Sequence, residues 1–155
     1  MTFRVAAIPT EVAQSVRETL KSPKYGFPAH REVASGRAPC RHCLRLIEVH
    51  QEELLLFTYD PFQVHGVPAL PGPVYIHAAN CERHDGNTTL ASLASVAGPF
   101  TLNAYGADRK LLEEVRVTNG ENDAVAKRMF ENPLVEYVHV RSTGAGCYLF
   151  GLERN

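Results

Sequence analysis

The chain of 155 residues is 45% hydrophobic and 21% charged, with no tryptophan and four cysteines, which excludes a disordered or fibrous class and leaves enough length for one core without covalent staples. Sixteen basic and seventeen acidic side chains are interspersed along it, so no basic face is expected for nucleic acid. The longest apolar run, Leu54–Phe57, falls far short of the about 20 residues that span a bilayer, and Pro9 and Glu11 interrupt the apolar start before an export signal could form.

Phe3, Val5 and Ala7 alternate with Arg4 and Ala6 and predict a first strand; Thr10 is then the expected N-cap of a helix over Glu11–Leu20. Lys21–Pro39, with three prolines and two glycines, reads as a loop. Further strands are expected at Leu44–Val49, Leu54–Tyr59, Val74–Ala78, Phe100–Tyr105, Val115–Thr118, Val135–Arg141 and Cys147–Leu152. Asp60–Pro73 and Asn80–Gly98 read as long irregular excursions between them. A second helix fits Glu121–Asn132, where Val125, Met129 and Phe130 recur at helical spacing before Pro133. The expected fold is a single α+β domain, a mostly antiparallel sheet with about two helices.

A protein of this kind is expected in the cytoplasm, where cysteines remain thiols or bind metal. Cys40–x2–Cys43 and His77–x3–Cys81 supply four soft or imidazole donors of the sort tetrahedral zinc takes, with His42 and His84 in reserve. Cys40 and Cys43 lie at the start of an expected strand, where successive side chains point to opposite faces, so they converge only if a turn intervenes. Two other readings stand beside the metal. Arg41 and Arg45 favour a reactive thiolate at Cys40, and each cysteine also suits a buried apolar position.

Period-two alternation gives a further constellation. Tyr137, His139 and Arg141 share one strand face, Tyr75 and His77 another, Asn103 and Tyr105 a third. If these faces adjoin, they offer phenols, imidazoles and a guanidinium to a small anionic molecule; otherwise they are solvated sheet faces. Ser142–Cys147 reads as a hairpin rich in small residues.

The succession PCRHCL, LLLFTYDPF, GPVYIHAANC, LNAYGAD, VEYVHVRS and GCYLFGLER, in that order over nearly the whole chain, resembles the uncharacterised bacterial family Domain of Unknown Function 1203. The resemblance transfers no catalytic residue. It implies that the Pro39–Cys40–Arg41 and Gly146–Cys147–Tyr148 elements are broadly shared, whereas Cys43 and the His77–Cys81 pair vary, so that a zinc site would belong to one branch.

The expected function is binding of a small molecule or anion at the polar sheet face through Arg41, His77, Tyr137, His139 and Arg141. An enzyme would use Cys40 or Cys147 as nucleophile and His77 or His139 as base. The alternative is a zinc-binding structural or regulatory module using Cys40, Cys43, His77 and Cys81. A homodimer through an exposed sheet edge or the Asp60–Pro73 segment is a further expectation.

Overall fold

The computed structural model describes residues 3–155. In chain order the elements are β1 (Phe3–Ala6), α1 (Thr10–Thr19), β2 (His30–Val33), β3 (Ala38–Pro39), β4 (Leu46–Ile47), β5 (Glu53–Tyr59) and β6 (Gly72–His77). There follow α2 (Leu90–Ala97), β7 (Phe100–Tyr105), β8 (Leu111–Arg116), α3 (Asn122–Glu131), β9 (Tyr137–Ser142) and β10 (Tyr148–Arg154). All strand pairs are antiparallel. They form a five-stranded sheet in the order β1-β10-β9-β7-β8, a three-stranded sheet β2-β5-β6 and the small β3-β4 ribbon. The α+β class stands, but the helix count is corrected: the described residues hold three α-helices.

The unexpected helix is α2, inside the stretch read as irregular. Its run LASLASVA has small residues where a polar face would show, so the helical period is hard to see. Its ends carry ordinary signals: Thr89 Oγ1 accepts the Ser92 N–H at 3.1 Å. The Asp123 carboxylate, in the first turn of α3, accepts the Leu90 and Ala91 N–H groups at 2.8 and 2.9 Å. Two helix starts are thereby tied together.

One face of the five-stranded sheet packs against α2 and α3. Phe100, Leu102, Val138, Val140, Phe150 and Leu152 meet Leu90, Leu93, Met129 and Phe130 in one apolar cluster. The second cluster lies under α1, where Ala13 and Val16 meet Leu54, Phe57, Val74 and Ile76 of the three-stranded sheet. Cys40 and Cys43 belong to it, and Tyr148 reaches into it from β10. A register shift between Tyr148 and Phe150 makes that possible: the extra residue, Leu149, joins the helix-side cluster while Tyr148 turns the other way.

The expected cap at Thr10 is also corrected. Pro9 takes the N-cap position, with no side-chain cap bond, and the Thr10 hydroxyl lies 3.1 Å from His42 Nε2 instead. A side-chain partner in the cysteine loop has displaced the local cap.

Candidate metal centre

The cysteine segment is a hairpin loop rather than the start of a strand. Ala38 pairs with Ile47 and Pro39 with Leu46, and the Cys40 N–H donates to the Arg45 carbonyl at 2.9 Å. The Leu44 N–H then closes back on the Cys40 carbonyl at 2.8 Å, with Leu44 itself left-handed at φ 60. The strand expected from Leu44 is therefore corrected to the two residues of β4. This turn brings the Cys40 and Cys43 side chains to one side, where alternation along a strand would have parted them.

His77 ends β6, and Cys81 follows four residues on. The ligand atoms of Cys40, Cys43, His77 and Cys81 all lie within 4.8 Å of one another. Cys40 Sγ is 3.8 Å from Cys81 Sγ, and Cys43 Sγ is 3.4 Å from His77 Nδ1. A tetrahedron with zinc–sulfur bonds of about 2.3 Å and a zinc–nitrogen bond of about 2.05 Å sets sulfur–sulfur at about 3.8 Å and sulfur–nitrogen at about 3.6 Å. A disulfide needs sulfurs about 2.05 Å apart, and the cysteines are all free. The spacing suits a metal between them.

Outer groups hold these donors in place. His77 Nε2 stands 3.2 Å from Glu52 Oε2, which leaves Nδ1 to face the cysteines; a carboxylate behind a histidine in this way fixes the tautomer of metal-ligating imidazoles. Cys81 Sγ accepts from Arg17 Nη2 at 3.2 Å and lies 3.2 Å from His42 Nδ1. Arg17 Nε also donates to the His77 carbonyl at 3.1 Å, and the His77 N–H donates to Cys40 Sγ at 3.3 Å. Negative sulfur therefore has donors waiting.

The proton distribution follows from the crowding. Hydrogen bonding to Cys43 and Cys81, with burial, holds the Cys40 thiol above its ordinary value. Its bonds to the other two sulfurs favour their thiolates, so Cys43 and Cys81 are both lowered. His77 is pushed up to about 10 by its bonds to Cys43 and Cys81.

The remaining expected site residues lie elsewhere. His139 and Tyr137, on β9, pair across the sheet with Asn103 and Tyr105 of β7, so two of the three polar faces adjoin; Tyr75 and His77 are on the other sheet. The joined face is covered. Phe62 sits over it, 4.5 Å from the His139 ring, and His65 stacks on Tyr137 at 3.6 Å. His139 is only 2% exposed, and burial, followed by the charges of Arg141, His65 and Arg109, pushes it down to about 3. Cys147, in the β9–β10 hairpin, lines two recesses with Arg41 and Arg141, and His139 lines neither.

Sequence reasoning missed Glu52 and Arg17. Nothing in the local pattern marks either residue, because each acts across a long stretch of chain. No helix among the described residues is long and apolar enough to cross a membrane.

Neither a curated protein nor a solved structure matches the chain. A family model described as protein of unknown function, DUF1203, matches residues 37–154, a span that contains all four clustered donors, and the chain belongs to that family.

Proposed function

We propose that this protein is a zinc-binding domain whose Cys40, Cys43, His77 and Cys81 form a structural Cys3His centre. The observation that carries this reading is the meeting of four donor atoms from two separate stretches of chain within 4.8 Å. Thiolate and imidazole donors in a tetrahedral set suit zinc, and four protein ligands leave no position for a reactive water. The role that fits is a clamp: it joins the β3–β4 hairpin, the end of β6 and the segment after it, with α1 drawn in through Arg17.

Elemental analysis of purified protein tests this directly. About one zinc per chain is expected, with loss of the metal and a lower melting temperature in Cys43→Ser and Cys81→Ser. Protein prepared under reducing, zinc-replete conditions that carries no zinc, and whose melting temperature ignores added zinc and chelator alike, overturns the reading.

A second reading, binding of a small molecule at the β7–β9 face, is favoured by the buried Tyr137 hydroxyl and His139 Nδ1. Neither has a hydrogen-bond partner among the described residues, and unpaired buried groups are costly unless something enters to pair them. The adjoining cavity is only about 70 Å³, which restricts the occupant to a very small molecule. Chemical shifts of the His139 ring on titration with candidate ligands test it; no response to any small polar solute counts against it.

A further inference from the structure

The β9–β10 hairpin separates two recesses, of about 250 and 220 Å³, that share Ala145 and Cys147 as walls. Arg41 lines the first and Arg141 the second. Arg41 is only 3% exposed. Its Nε donates to the Tyr148 carbonyl at 2.8 Å and its Nη1 to the Pro39 carbonyl at 2.7 Å, so the guanidinium is fixed in place. Its Nη2 has no hydrogen-bond partner among the described residues, and no carboxylate is paired with it. Arg141 repeats the pattern: Nη1 donates to the Gly146 carbonyl at 3.3 Å, while Nη2 is buried without a partner.

The charged side chains that line the two recesses are all cationic. Arg37 adds a third guanidinium to the first recess, held there by bonds to the Val96 and Gly98 carbonyls at the end of α2. Among the described residues, no aspartate or glutamate lines either recess, in a chain whose formal charge is −1. Two guanidinium nitrogens are thus left without a protein acceptor, the one on Arg141 buried, and a buried unpaired donor is costly. Oxyanions supply that acceptor in the geometry arginine prefers.

We propose that the two recesses flanking Cys147 each bind a small oxyanion-bearing molecule, phosphate or carboxylate, anchored by Arg41 in one and by Arg141 in the other, with the half-buried Cys147 thiol beside both. These sites go beyond the metal centre and do not depend on metal occupancy.

Cys147 reports on the recess through alkylation. The full chain, as isolated, is treated in parallel with anionic iodoacetate and neutral iodoacetamide, and the peptide carrying Cys147 is read by mass spectrometry. The ratio of the iodoacetate to the iodoacetamide rate is expected to be about tenfold higher at Cys147 than at free glutathione, because two or three fixed guanidiniums concentrate the anion. Inorganic phosphate or malonate should slow neutral iodoacetamide at Cys147, whereas chloride at matched ionic strength, which only screens the attraction of iodoacetate, should not; which of the two protects more identifies the oxyanion class.

Arg141→Gln should reduce the ratio by about half its logarithm, and Arg41→Gln further. Arg41 also braces two carbonyls, so should Arg41→Gln not fold, the wild-type ratio and Arg141→Gln decide. A wild-type ratio equal to that of glutathione overturns the proposal, as does an absence of protection by both phosphate and malonate.

Discussion

Glu52→Gln probes the metal centre without removing a ligand. Glu52 Oε2 stands 3.2 Å from His77 Nε2, with its side chain 41% exposed. The other oxygen accepts the Glu48 N–H at 3.1 Å, and glutamine retains such an acceptor, so the turn should survive while the charge is lost. With zinc on Nδ1 the His77 ring is neutral, and Glu52 holds its Nε2–H in a charge-assisted hydrogen bond, a kind that contributes about 1.5 to 3 kcal/mol. The exposure of Glu52 puts it toward the lower end. That corresponds to about a 10-fold loss of zinc affinity, at the low end of the effect of removing carboxylates behind ligating histidines elsewhere. Competition with a chromophoric chelator under reducing conditions near neutral pH measures it. Glu48→Gln is the control: this residue lines the same recess beside Cys81 and its carboxylate makes no bond to His77. Equal affinities in Glu52→Gln and wild type, each with one zinc bound, would refute the assignment of Nδ1 as the ligating atom with Glu52 behind it.

Two further outcomes follow from proton positions. In the metal-free cluster Cys40 and His77 are raised while Cys43 and Cys81 are lowered, so zinc binding near neutral pH should release at least the two protons of Cys40 and His77 per metal. Indicator-dye titration counts them, and fewer than two would show that one of this pair enters without its proton. His139 has a folded pKa of about 3, below the unfolded value of about 6.5. Its contribution to stability is complete above about 6.5 and is lost as pH falls toward the folded value, by up to about 1.4 kcal/mol per pH unit. His139→Gln should therefore flatten the decline of urea-unfolding stability between about pH 6 and pH 4 relative to wild type, and equal slopes would show that the ring is not buried in its neutral form.

What was legible in the chain divides by range. The apolar run within Leu54–Tyr59, the alternation of Val135–Arg141 and the helical spacing of Val125, Met129 and Phe130 are local signals, and β5, β9 and α3 form there. The donor set of the metal centre was also visible, because each pair lies within a few residues. Convergence of Cys40 with Cys43 was not, since it depends on Leu44 taking a left-handed conformation that no leucine advertises. β2 was hidden in a loop reading because each of its four residues is exposed, which leaves no apolar alternation to detect. The polar face of β9 was read as a choice between ligand surface and solvated sheet. At Tyr137 and His139 it is covered, because Phe62 and His65, from a segment with no periodic pattern, lie across it. Long-range covering of this kind leaves no trace in local periodicity.

The reach of α1 into the cysteine loop bears on where this fold can be cut. The family match begins at residue 37, yet Arg17 donates to both Cys81 and the His77 carbonyl, and Thr10 meets His42. A shortened chain that started at the family boundary would leave Cys81 without its guanidinium and strip β1 from β10, exposing a sheet edge. Residues 3–36 thus pack into the same folding unit as the cysteine–histidine cluster, and truncation at the apparent boundary should give an aggregation-prone, metal-poor fragment.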